Sequence, residues 1–116
     1  MHTISVEGIQ VYAYHGCLEE EGKIGGQYIV DIRINTDFSE AALTDDLTKT
    51  IDYVDVYRIV KQEMAIRSKL IEHVGKRILD KIKSNFTTIK TCKVKISKLN
   101  PPMNGNVDRV SVELEA

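Results

Sequence analysis

Residues 12–31 read YAYHGCLEEEGKIGGQYIVD and join two segments that are predicted to be β-strands. Before this stretch, apolar and more polar residues alternate from Ile4 to Ala13, with a shift near Gly8 that predicts a β-bulge. After it, the same period of two runs from Tyr28 to Asn35. The predicted loop between the strands is about ten residues long, which exceeds the length of a hairpin turn. Its charges and glycines indicate a functional loop on a rigid scaffold.

The composition limits the classes of protein to which this chain can belong. A chain of 116 residues is predicted to form a single domain, residues 1–116, near the lower end of the size range for one stable core. The net charge of −1 argues against binding to nucleic acid or to an anionic membrane. No apolar run approaches the roughly 18 residues of a membrane span, and no signal peptide is predicted. Cys17 and Cys92 lack a disulfide framework, which favours reduced thiols in the cytoplasm.

The remaining pattern predicts helices followed by a second pair of strands. A short helical turn over 39–43 precedes a helix with apolar spacing of three and four, from Val54 through Val56, Tyr57 and Val60 to Met64. A second helix is predicted over about 69–85, with Ser68 as its N-cap. Strands over 91–98 and 110–114 flank a rigid Asn-Pro-Pro turn. The order ββααββ indicates an α+β fold, an antiparallel four-stranded sheet with two helices on one face.

Such a sheet leaves one face uncovered and both edge strands unpaired. If the edge strands of identical copies paired around a ring, the sheets would close into a barrel and no unpaired edge would remain. We therefore expect a homo-oligomer.

Polar side chains at four positions are candidates for chemistry. Lys98 continues the apolar side of its strand, although a strand that ends at Ser97 would leave Lys98 in solvent. Glu72 lies on the shoulder of an apolar helical stripe, where it either complements the helix dipole or accepts hydrogen bonds from an amide–amine edge. Glu21 is the last of three consecutive acids, among which periodicity does not choose. Tyr53 begins a helix as either a packing residue or a proton donor.

Metal and phosphate sites are not predicted. The three histidines are scattered, and none shows the spacing of a zinc site. The glycines of residues 22–26 precede a strand and lack the Lys-Ser/Thr pair of a phosphate-binding loop. Pattern alone therefore leaves an oligomeric domain with a few candidate polar residues.

Five short motifs occur in order along the chain. They are Tyr12-Ala13-Tyr14-His15-Gly16, Glu20-Glu21 with Gly25, Asp52-Tyr53, Leu70-Ile71-Glu72-His73 and Lys98-Leu99-Asn100-Pro101-Pro102. Together they resemble the dihydroneopterin aldolase family of folate biosynthesis. The resemblance implies a tunnelling fold, in which four subunits close a barrel and two such rings stack into a homo-octamer with active sites between neighbouring subunits.

The resemblance also implies a reaction. 7,8-Dihydroneopterin would undergo retro-aldol cleavage to 6-hydroxymethyl-7,8-dihydropterin and glycolaldehyde, by acid–base catalysis without a metal, a cofactor or a lysine Schiff base. Epimerisation at C2′ to dihydromonapterin would accompany it. Two alternatives stay open: an epimerase of the same fold that acts on dihydroneopterin or its triphosphate, and a non-catalytic oligomeric module that binds pterins.

The resemblance assigns roles to the candidate residues. Glu72 would anchor the pterin, assisted by backbone groups of Ile71 and His73. Lys98 would transfer protons through a water, and Glu21 would orient that lysine and the substrate hydroxyls.

Tyr53 would protonate the enamine left by cleavage or relay that proton, and it would also contact the substrate. Because the implied site is split between subunits, we expect Tyr53 to come from a different subunit than Glu72 and Lys98.

Overall fold

A computed structural model describes all residues, Met1–Ala116. The strands are β1 (His2–Ala13), β2 (Gly26–Thr36), β3 (Thr91–Leu99) and β4 (Arg109–Glu115). The helices are α1 (Glu19–Ile24), α2 (Ser39–Thr44), α3 (Tyr53–Met64) and α4 (Ile71–Asn85), with a 3-10 turn at Leu47–Lys49. All neighbouring strands are antiparallel, in the order β1-β2-β3-β4, which confirms the predicted α+β arrangement. None of the helices has the length and apolar character that crossing a bilayer requires.

The bulge predicted near Gly8 is present. The register of β1 against β2 shifts between Val6 and Ile9, and Gly8 there has a φ of 71°. The N–H of Gly8 donates to the Asp31 carboxylate at 2.7 Å, so the displaced backbone group has a partner. Ile9 is buried beyond the shift and Val6 is half-buried before it, because the extra residue keeps both halves of the strand facing the core.

Helices α3 and α4 pack against the sheet and enclose the core. The predicted stripe of α4 is buried in the same cluster as apolar side chains of β2 and β3. The stripe consists of Ile71, Val74, Ile78 and Ile82, and the strands contribute Val30, Ile32, Ile34, Val94 and Ile96. The predicted stripe of α3 is only partly correct, since Ile59 is buried while Val54 and Tyr57 are exposed. At about 100° per residue, Val56, Ile59 and Val60 lie within about 100° of one another on the inner face, and Val54 and Tyr57 lie more than about 100° from the middle of that face.

The predicted loop between β1 and β2 contains helix α1, which the sequence pattern did not indicate. Its first turn consists of three glutamates, and the Glu21 carboxylate accepts from the N–H of Leu18 at 3.2 Å. Acidic side chains and a glutamate at this position stabilise a helix N-terminus. The helix buries none of its residues, so it produces no apolar periodicity.

The prediction that Ser68 caps α4 is wrong. The helix begins at Ile71, and its N-cap residue Leu70 provides no side-chain cap. Ser68 is instead buried between two other partners: its hydroxyl accepts from Arg77 at 3.0 Å, and its N–H donates to Nδ1 of His15 at 3.0 Å. Tertiary contacts therefore replace the local capping bond.

Candidate active site

Lys98 lies at the end of β3, inside the ladder. It pairs in register with Tyr28 of β2, and its side chain is only 15% exposed. Because the strand continues to Leu99, the alternative in which Lys98 follows the strand into solvent is excluded. The ammonium group donates to Oε2 of Glu21 at 2.6 Å and to the carbonyl oxygen of His15 at 2.9 Å.

The Glu21 carboxylate is held by donors on both oxygens. Lys98 contacts Oε2, and the N–H of Leu18 contacts Oε1. Burial raises the pKa of Glu21, but these hydrogen bonds and the charges of Lys98 and Arg67 outweigh burial and leave the pKa below its usual value. Glu21 is therefore ionised at neutral pH and offers only acceptors.

Gly16 makes room for this carboxylate. A Cβ at Gly16 would lie 2.2–2.5 Å from the carboxylate atoms of Glu21, which no real contact allows. The φ of 147° at Gly16 is also in the region that favours glycine. The Tyr-His-Gly motif thus ends in glycine because the Glu21 carboxylate occupies the place of its side chain.

His15 and Tyr28 belong to the same cluster, and the sequence analysis assigned neither a role. The Tyr28 hydroxyl donates to the His15 carbonyl oxygen at 2.8 Å, the atom that also accepts from Lys98. Burial lowers the pKa of the His15 imidazole, which is consistent with a neutral ring that accepts from Ser68. A usable signal for Tyr28 was its place on the inner side of a strand, because a buried phenol requires a hydrogen-bond partner.

Arg67, in the connection between α3 and α4, holds the loop that carries His15. Its guanidinium donates to the carbonyl oxygens of Tyr14 at 3.0 Å, Gly16 at 2.9 Å and Leu18 at 3.3 Å. These bonds fix the backbone from which His15 and Glu21 approach Lys98. No sequence signal singled out Arg67, because an arginine in an irregular segment is ordinarily solvated.

Two cavities meet at the pair formed by Lys98 and Glu21, since both residues line each of them. The larger, of about 460 Å³, also contains Ile71 and Glu72 at the start of α4. The smaller, of about 200 Å³, is also lined by Tyr28. The larger cavity, called the main cleft below, therefore joins three of the predicted polar site residues in one space.

Two predicted residues are not brought into the main cleft of this chain. Tyr53, the first residue of α3, is 65% exposed and lines neither cavity. His73 is exposed on α4 and lines neither cavity. No group of three or more histidine, cysteine, aspartate and glutamate side chains is arranged to hold a metal ion.

Sequence comparison with known proteins identifies one family. The family model described as dihydroneopterin aldolase matches residues 4–115. A Staphylococcus epidermidis protein named dihydroneopterin aldolase is 40% identical over 112 residues, which cover 96% of this chain and 93% of that one. The Bacillus subtilis protein of the same name is 36% identical over 115 residues, covering 98% and 96%.

A solved structure has the same fold. The Escherichia coli dihydroneopterin aldolase, crystallised in complex with neopterin, superimposes with a TM-score of 0.91 and covers 100% of this chain and 99% of that one. Its sequence identity is 23%, so this likeness establishes the fold.

Proposed function

The chain belongs to the dihydroneopterin aldolase family, and we propose that it carries out the family's reaction in the main cleft. It is an enzyme of folate biosynthesis, a lyase that acts on dihydroneopterin. The products are 6-hydroxymethyl-7,8-dihydropterin and glycolaldehyde. One observation carries the placement of the reaction: the main cleft contains the Glu72 carboxylate together with the largely buried pair of Lys98 and Glu21.

The pterin ring is assigned to the Glu72 side of the cleft. A carboxylate accepts two hydrogen bonds side by side, which matches the 2-amino group and the adjacent ring N–H of a pterin. Of the two backbone groups expected to assist, the N–H of His73 already donates to Leu70 at 3.1 Å. Ile71, which lines the cleft and begins the helix, is therefore the better backbone donor.

The side chain of the substrate is assigned to Lys98 and Glu21. Cleavage removes the proton of the C2′ hydroxyl, breaks the C1′–C2′ bond and moves its electrons into the ring imine, so glycolaldehyde leaves and an enamine remains. Lys98 has three N–H donors, of which Glu21 and His15 take two, so the third is available to a substrate hydroxyl or a relaying water. Protonation of the enamine at C1′ then gives the hydroxymethyl product.

Tyr53 is assigned to that last protonation, from a neighbouring subunit. Two features support a shared site: Tyr53 is far from buried in its own chain, and the neighbouring Val54 and Tyr57 expose apolar surface beside it. Strands β1 and β4 also have free edges that can pair with other copies. These features support a ring oligomer that closes a barrel, and the family resemblance implies four subunits in each ring and two rings in an octamer.

Mixing two inactive variants tests the shared site. Lys98→Ala and Tyr53→Phe oligomers, dissociated and reassembled together in equal amounts, should regain up to about a quarter of the wild-type sites, because random mixing places one intact copy of each residue at that fraction of interfaces. Reassembled mixed oligomers that remain inactive would place Tyr53 and Lys98 in the same subunit's site.

An assay without metal tests the reaction itself. The purified protein is incubated with 7,8-dihydroneopterin and EDTA, and the products are separated after oxidation. Equal amounts of 6-hydroxymethylpterin and glycolaldehyde are expected, with some monapterin from epimerisation at C2′. Monapterin alone would indicate an epimerase, and tight binding without conversion would indicate a pterin-binding module.

The single domain is assigned to the cytoplasm, with a pterin as its small-molecule ligand and without nucleic acid or membrane as partners. Both cysteines are free, and burial raises the pKa of Cys92 to about 11, which keeps its thiol protonated and unreactive. The nearly balanced charge supports the absence of polyanionic partners.

A further inference from the structure

The peptide unit between His15 and Gly16 is bonded at both ends. Its carbonyl oxygen accepts from the Tyr28 hydroxyl at 2.8 Å and from the Lys98 ammonium at 2.9 Å. Its N–H, which belongs to Gly16, donates to the Ser68 carbonyl oxygen at 3.0 Å. A carbonyl has two lone pairs, so Tyr28 and Lys98 together use the full capacity of this oxygen.

The oxygen of this peptide depends on Tyr28 and Lys98, because Arg67 bonds the carbonyl oxygens on either side of it, those of Tyr14 and Gly16. Gly16 has no side chain, and its φ of 147° lies in a region where glycine moves freely. If Lys98 alone held the oxygen, a turn of the peptide plane would carry the ammonium away from Glu21. The Tyr28 ring is fixed, because it is 99% buried and packs edge-on against His15 with ring centroids 5.4 Å apart.

The Tyr28 hydroxyl keeps its proton and can donate a hydrogen bond at neutral pH. Burial raises the pKa of Tyr28, and the charge of Lys98 only partly opposes that effect, so the phenol stays protonated at neutral pH. The ring also lies beneath the ammonium, with Nζ of Lys98 5.7 Å from its centroid. Tyr28 thus contacts the environment of Lys98 through its hydroxyl and through its ring face.

We propose that Tyr28 is a positioning residue for the reaction: its hydroxyl fixes the His15–Gly16 peptide, and the peptide fixes the ammonium of Lys98 beside Glu21. The inference rests on the proposed function, in which Lys98 transfers protons. Tyr28 does not touch the pterin in this arrangement, and it lines only the smaller cavity. Its effect is therefore expected on kcat and not on substrate binding.

Tyr28→Phe removes the hydroxyl and keeps the ring. Tyr12→Phe is a matched control, because the Tyr12 hydroxyl also donates to a backbone carbonyl of this region, that of Ile24, without contacting Lys98. Rates are measured per folded molecule across pH, with the folded fraction taken from circular dichroism at the assay temperature. For Tyr28→Phe, kcat should fall roughly tenfold, while KM stays within about twofold. The expected loss is smaller than the roughly 10²–10⁴-fold rate enhancement of an acid–base group, because Lys98 itself is retained.

The pH profile distinguishes positioning from simple support of the fold. With the hydroxyl absent, the His15 carbonyl serves Lys98 alone, so the profile of kcat for Tyr28→Phe should move along the pH axis, whereas that of Tyr12→Phe should coincide with wild type. An unchanged profile, an unchanged kcat, or an equal loss in both variants would overturn the inference. The proposed function is tested separately by the wild-type protein: if it does not cleave dihydroneopterin, the proposed function is wrong, whatever the variants show.

Discussion

Two ion pairs of similar burial lie in different parts of this chain. Lys98 and Glu21 are 15% and 16% exposed, with 2.6 Å between nitrogen and oxygen. Arg77 and Glu63 are 23% and 14% exposed, with 2.8 Å between them. The pair of Lys98 and Glu21 joins β3 to α1 beside the two cavities. The pair of Arg77 and Glu63 joins α4 to the end of α3.

Each cation has one N–H without a partner, and the two cations differ in where that donor lies. Arg77 donates four of its five N–H groups, to the Glu63 carboxylate, to the backbone oxygens of Glu63 and Ile66, and to the Ser68 hydroxyl, and it lines neither cavity. Lys98 has its one spare N–H beside the main cleft, which it lines. Burial alone does not separate a structural ion pair from a reactive one; free donor capacity beside an open cleft does.

The largest expected effect is on turnover, in Lys98→Met. The substitution keeps the apolar stem and removes the ammonium, so kcat should fall about 10³-fold, because the acid–base group is lost. Pterin affinity, measured by fluorescence titration, should stay near the wild-type value, since Glu72 is untouched. Normal turnover by this variant would remove Lys98 from the mechanism.

The converse change, Arg77→Met, should affect the fold instead. It leaves the Glu63 carboxylate largely buried without its cation, and the free energy of unfolding should decrease by about 3 kcal/mol. Urea denaturation measures this loss, and kcat per folded molecule should equal that of wild type. A fall in kcat as large as that of Lys98→Met would erase the distinction between the pairs.

A third acid, Glu72, lines the main cleft together with Lys98 and Glu21. Glu72→Gln should raise the dissociation constant of a pterin roughly 30-fold, because it replaces a charged acceptor of two hydrogen bonds with a group that has one acceptor and one donor. Glu19→Gln is the control, since Glu19 is exposed on α1 and lines neither cavity. Equal affinities in the two variants would exclude Glu72 as the anchor.

The smallest expected effect is the pH dependence of the contribution that Glu21 makes to the free energy of unfolding. The folded-state pKa of Glu21 lies below its unfolded value, so its stabilising contribution is complete above the unfolded value and disappears as the pH falls through the folded one. Glu21→Gln should therefore lose stability against wild type at pH 7 and approach it under acidic conditions. Unfolding by urea at pH 7 and at about pH 3 measures the difference, and parallel curves would contradict it.

The sequence predicted the elements whose burial repeats with a regular period. The β1 bulge follows from a period of two and the α4 stripe from a spacing of three and four, whereas the alternation of β3 left open whether Lys98 lies within the strand or in solvent. Helix α1 was missed because it buries nothing, and Ser68 was misassigned because its partner Arg77 is nine residues away along the chain.

The site could be predicted only as a set of separate candidates. Glu72, Glu21 and Lys98 come from α4, α1 and β3, and only the folded chain places them around one cleft. The roles of Tyr28 and Arg67 depend on bonds to backbone carbonyl oxygens, which carry no signature in a sequence. The side-chain type alone does not reveal such partners.

The three bonds from Arg67 also bear on how the enzyme can be remodelled. They attach residues 14–18 to the connection between α3 and α4, so the loop follows that connection and not only the two strands it joins. A graft that transplants the β1–β2 loop into another scaffold must therefore carry the α3–α4 connection with it. Insertions in that connection would shift the catalytic loop through Arg67, and they would also alter the wall of the main cleft, which Lys69 and Leu70 of the connection line.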